Sequence, residues 1–216
     1  MMKKLPHIIG SALLLMASSV NAASVTYYLN QSNIDAVLPD NTNNYLTLLI
    51  SSLTAGNASF SLSPSYAFVQ SSNYGIDSFG FNFSGSNIIN SSNISDLPTG
   101  WSLSTNKNQD GFGRFEFVLD TTGSGRVPTL NFNISGLGGM TADETLGYFA
   151  LNSSNNAGQG SFYFASHVAG FSAGSQTSAF FAGSTVAPIP EPESYSLMLT
   201  GLGLLGFIAR RRKQVS

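Results

Sequence analysis

The 216-residue chain has no cysteine. That absence excludes thiol nucleophiles, cysteine-ligated zinc and disulfide switching. Charge is nearly as scarce, with Asp, Glu, Lys and Arg supplying 9% of the residues. There is one tryptophan, and of the two histidines only His167 lies beyond the N-terminal segment. Between residues 23 and 185 three basic residues, Lys107, Arg114 and Arg126, face nine acidic ones, a formal charge of −6. So weak a positive complement leaves no basic footprint, and nucleic acid is not an expected partner. No helical period is sustained there and no unit repeats at a fixed spacing, which argues against bundles, solenoids and propellers.

What the chain has in abundance is aromatic mass. Sixteen phenylalanines and eight tyrosines are more than a disordered chain carries. They recur with period two, as in 58–62, 79–83, 115–119 and 130–134, so one face of each segment is apolar and the other polar. Further strands are expected at 25–29, 45–53, 66–70, 101–103, 146–151, 161–165 and 178–182. Gly, Pro, Asn and Asp clusters punctuate them at 39–41, 54–57, 97–100 and 110–113. One helical turn fits 141–145, with Asp143 and Glu144 complementing its N-terminus. The fold class is all-β, a single β-sandwich ectodomain over residues 23–185. Its expected core is Phe79, Phe81, Phe83, Phe115, Phe117, Leu119, Leu130, Phe132 and Ile134 on two packed sheets. A domain of this length can bury enough apolar surface without disulfides.

Both ends of the chain carry targeting patterns. Lys3 and Lys4 precede an apolar stretch at 8–16, and Val20, Asn21 and Ala22 form a small-residue cleavage site. This is a secretory signal peptide over residues 1–22, with signal peptidase expected to cut between Ala22 and Ala23. Near the other end, residues 186–195 form a Pro-rich linker containing Pro190, Glu191 and Pro192. An uncharged run at 196–209 follows, then Arg210, Arg211, Arg212 and Lys213. As a helix the run spans roughly 21 Å, short of the ~30 Å hydrocarbon core without its flanks. Residues 196–216 therefore read as a short transmembrane helix and basic tail. The four cations form a basic membrane stop on the cytoplasmic side.

The Pro-Glu-Pro triplet, the short Gly- and Leu-rich span and the terminal Arg cluster together resemble the PEP-CTERM family of sorting signals. The resemblance covers about the last 30 residues. It implies recognition by an exosortase, a membrane-embedded cysteine protease of Gram-negative bacteria that make exopolysaccharide. It further implies a precursor held transiently in the inner membrane and cut near Pro190, Glu191 and Pro192. The ectodomain would then pass to the cell surface, outer envelope or extracellular matrix.

Chemistry-like patterns within the chain carry less. Gly170 to Gly174 match Gly-x-Ser-x-Gly around Ser172, but no acid or histidine follows within the ectodomain, so the segment reads as a loop. Gly201, Gly203 and Gly206 match a dinucleotide fingerprint inside the apolar span, where small residues instead favour helix–helix contact. His167 reads as a hydrogen-bonded structural group, since a metal site needs several converging ligands. Asp35, Asp40, Asp110 and Asp120 offer oxygen ligands, and calcium is the one cofactor they suggest, without EF-hand spacing. Glu116 and Asp120, four apart on one strand, lie roughly 13 Å apart, too far for glycoside hydrolysis. The expected role is non-enzymatic, a structural or adhesive component of the exopolysaccharide and biofilm layer. The alternative is a lectin-like carbohydrate-binding module, calcium-dependent or not, stacking its ligand on Tyr74, Trp101 or Tyr163.

Overall fold

The computed structural model describes residues 22–138, 141–154 and 158–186. The chain runs β1 (Ala23–Leu29), β2 (Gln31–Ser32), β3 (Leu46–Ser52), β4 (Ala58–Pro64), β5 (Val69–Phe81), β6 (Ile94–Ser95), β7 (Ser102–Gln109), β8 (Gly113–Asp120) and β9 (Leu130–Ile134). It continues with α1 (Ala142–Gly147), β10 (Phe164–Ala173), β11 (Gln176–Gly183) and β12 (Thr185–Val186). Every pairing is antiparallel. The first sheet has the order β12-β1-β3-β4-β9-β6, the second β2-β11-β10-β5-β8-β7.

Alternation builds the first sheet. Leu46, Leu48 and Ile50 of β3, Ala58, Phe60 and Leu62 of β4, and Leu130, Phe132 and Ile134 of β9 are all buried. Their intervening neighbours are Ser, Thr and Asn, with Leu49 the exception. The inner faces of the two sheets meet through aromatic contacts. Phe60 lies 5.9 Å from Phe81, Tyr27 4.8 Å from Phe164 and Tyr45 4.9 Å from Phe181, centroid to centroid.

Several elements differ from the sequence reading. Residues 66–68 form no strand; Tyr66 and Phe68 pack instead against Tyr45. β5 starts at Val69 and runs unbroken into the Phe79–Phe81 segment. β7 extends to Gln109 through polar residues, because as an edge strand it is held by pairing to β8 rather than by an apolar face. Residues 146–151 form no strand, since helix α1 occupies 142–147. Thr141 caps α1, accepting from Glu144 N while Glu144 Oε2 accepts from Thr141 N.

The expected single core is also divided. Phe115 belongs to a second, smaller cluster with Phe112, Val118, Ala165 and Ala182. Gly80 alternates with the inward Phe79 and Phe81, so it faces outward, and a Cβ there would come 2.9 Å from Phe115 Cγ. Phe115 thus lies over the outer side of the second sheet. Ser153 and Phe162 close that side: Ser153 Oγ donates to Phe112 O at 2.6 Å, and Phe162 meets Phe112 edge-on at 5.5 Å.

Candidate functional site

Four of the domain's twelve charged side chains, Asp77, Lys107, Asp120 and Arg126, gather with His167 on the outer side of the second sheet, and an irregularity in β5 brings Asp77 there. His167 of β10 pairs with Ser78 of β5, yet the next pair is Val168 with Ile76. Asp77 is the extra residue, and such a bulge re-aims one side chain. In regular alternation Asp77 would oppose Ser78 in direction. Here its Oδ1 lies 2.5 Å from His167 Nδ1, and its Oδ2 accepts from Arg126 Nε at 2.8 Å. Burial pushes the Asp77 carboxyl up, but hydrogen bonds from His167 and Arg126, together with their charge, hold it below the usual carboxylate range. Arg126 Nη1 also donates to Asn73 O at 3.1 Å, and Val127 bridges Ile76, so the loop after β8 is pinned beside the bulge.

A pocket of about 220 Å³ opens next to this cluster, lined by Ser78, Lys107, Gln109, Asp120, His167 and Phe180 among others. Its floor is a rank across four strands, in which Phe180 pairs with His167, His167 with Ser78, and Ser78 with Asp120. Gln109 is buried, and its Oε1 accepts from Ser78 Oγ at 2.9 Å. Lys107 Nζ donates to Asp120 Oδ2. The His167 ring leans on Phe180, with centroids 4.4 Å apart.

The remaining candidates fall elsewhere. Ser172 sits in the last residues of β10 rather than in a loop, exposed and followed by the hairpin turn to β11. Gly170 has φ +79 and an added Cβ would meet Asn73 O at 2.2 Å, so its glycine serves the close approach of β10 to β5. Glu116 is exposed on β8, away from any acidic partner in the pocket. Asp35 Oδ1 accepts from Asp40 N and Asp40 Oδ1 from Ser32 N, both at 2.7 Å, so these carboxylates tie down the loop after β2. Asp110 Oδ2 accepts from Asn33 Nδ2 at 3.3 Å. Among the described residues no three His, Asp or Glu side chains converge as metal ligands.

The three suggested stacking platforms are packed to different degrees. Trp101 is 8% exposed and spends its indole N–H on Gly125 O at 2.8 Å. Tyr163 packs edge-on against Tyr27, and Tyr74 packs on the main core. The Tyr74 hydroxyl is buried without a partner, and burial pushes its pKa up to about 12. Trp101 is thus buried with its N–H spent, while Tyr74 and Tyr163 are half-buried. Sequence reasoning passed over Asp77, Gln109 and Phe180. The odd spacing of the two inward residues Ile76 and Phe79 was the available signal, since period two cannot place both on one face without an extra residue.

At the chain ends, Ala22 is exposed and β1 begins at Ala23. Pro190, Glu191, Pro192, Arg210, Arg211, Arg212 and Lys213 lie outside the described residues, as does the expected span at 196–209. Among the described residues no helix is long and apolar enough to cross a membrane. β12 runs antiparallel to β1, with Tyr27 opposite Val186, so the chain leaves Val186 heading toward the end of β1 where Ala23 lies.

Residues 188–213 match the family model of the PEP-CTERM protein-sorting motif. The chain carries this motif, which marks an exported, membrane-processed protein sorted through its C-terminus, with exosortase as the enzyme that recognises it. No curated protein and no solved structure matches the chain.

Proposed function

We propose that this protein is an exosortase-sorted, non-catalytic component of the cell envelope or extracellular matrix, structural or adhesive within the exopolysaccharide layer. The sorting motif at 188–213 carries the reading. Signal peptidase releases the N-terminus at Ala22 and Ala23. The span at 196–209 then holds the precursor in the inner membrane, with Arg210 to Lys213 on the cytoplasmic side. Exosortase cuts near Pro190, Glu191 and Pro192 and frees the sandwich. The course of β12 beside β1 fits this arrangement, because both targeting segments join the domain at one edge of one sheet. The surface supports a matrix role: it is nearly free of positive charge and rich in Ser, Thr and Asn.

The test is the mass of the mature protein from its own host, with and without the exosortase gene, using a tag after the exposed Ile88. The proposal expects the wild-type strain to lose the tail from the Pro-Glu-Pro triplet onward and the deletion strain to keep it. A tail retained through Ser216 in both strains would replace the proposal with a plain membrane anchor.

A further inference from the structure

The domain has only three basic side chains and one histidine between residues 23 and 185. Two of the three, Lys107 and Arg126, and the histidine itself gather around one pocket with Asp77 and Asp120. A sandwich does not need this arrangement to fold: the first sheet carries no charged residue on β1, β3, β4 or β9. Holding Asp77 in place also requires a break in the β5–β10 ladder.

We infer that the pocket between His167, Gln109 and Asp120 binds one neutral sugar ring, with the Phe180 and His167 rings supplying its apolar contact. Charge selects the class. Asp77 is paired with Arg126 and hydrogen-bonded to His167, and Asp120 is paired with Lys107. An anionic ligand would meet two carboxylates and a cationic one would compete with Lys107, whereas hydroxyls can both donate and accept. Lys107 Nζ and the Gln109 amide N–H groups donate, and Asp120 accepts. With Nδ1 held by Asp77, the His167 ring has only Nε2 left for a ligand, and the carboxylate fixes its orientation. Size selects one ring: about 220 Å³ falls below the ~300–1,000 Å³ of sites for drug-sized ligands. The Phe180 and His167 rings, which pack on each other, supply the apolar part of the lining for the C–H groups of a pyranose. The site does not depend on where the tail is cut.

The experiment is NMR titration of the mature protein, isolated from cells making the full chain. The probes are the methyl glycosides of glucose, galactose, mannose and N-acetylglucosamine, with methyl glucuronide as the charged comparison. Ligand-efficiency limits for a dozen-atom ligand place the expected Kd at about 1 mM. At least one neutral glycoside should saturate, moving the amides of Ser78, Asp120, His167 and Phe180. His167→Gln and Asp120→Asn should each weaken it about tenfold, and Ser61→Ala should not. The Asp120 side chain stays 20% exposed, so Asp120→Asn decides the matter if His167→Gln fails to fold. The inference is overturned if no neutral glycoside shifts these amides at about 50 mM, well above the expected Kd. It is equally overturned if the glucuronide binds more tightly, if Asp120→Asn leaves affinity unchanged, or if the shifts fall on the first sheet.

Discussion

On the outer side of the first sheet, the rank Ser24, Ser51, Ser59, Asn133 and Ser95 crosses five strands using only hydroxyls and an amide. The next rank, Thr26, Leu49, Ser61 and Asn131, differs by one leucine. A shallow trough of about 280 Å³ lies there over the serines of β4, with Asp96 at its side. On the second sheet the corresponding surface is divided. One rank, Ala182, Ala165, Gly80, Val118 and Ser104, is small enough to be roofed by Phe112 and Phe115. The rank beside it holds His167 and Asp120, with Asp77 turned toward it. Two six-stranded antiparallel sheets thus give a nearly uncharged wall with one trough on one side, and on the other a second core beside a charged pocket. Side-chain size above the sheet makes the difference, since Gly and Ala leave room for rings where Ser and Asn face water.

Breaking the second core should give the largest effect. Phe115→Ala removes a fully buried ring and should cost about 3–5 kcal/mol by denaturant unfolding; a loss below about 1 kcal/mol would mean that the roof adds no core. Gly80→Ala tests the same packing from below, because its methyl would press on Phe115 Cγ, and about 1–3 kcal/mol should be lost.

Asp77→Asn comes next, at about 1–2 kcal/mol near neutral pH. Its folded pKa is depressed, so the stability it contributes is present above its ordinary value of 3.8 and disappears as pH falls through the folded pKa. Melting curves from pH 6 downward should therefore converge for wild type and variant at the acid end. Parallel curves would remove the ion cluster from the account of stability. Smallest is Ser61→Ala on the first sheet, within about 0.5 kcal/mol, which a matched melting experiment can bound.

Alternating segments such as Ala58–Pro64 and Leu130–Ile134 were readable because one residue in two faces the core in any antiparallel sandwich. Strand β7 was not, since its polar residues are ordered by hydrogen bonds to β8 rather than by burial. The stacking role suggested for Trp101 failed for a related reason: composition counts aromatic rings but does not say which of them find a roof.

The sorting motif at 188–213 is a linear signal contained in one stretch of chain, and so the sequence alone determined it. Period-two patterning likewise determined the all-β class, because it depends only on neighbours two apart. The pocket is different in kind. His167 lies 90 residues from Asp77, and Arg126 lies 49 from it. Only the pairing of β10 with β5, and the single extra residue that turns Asp77 outward, bring these side chains within hydrogen-bonding reach.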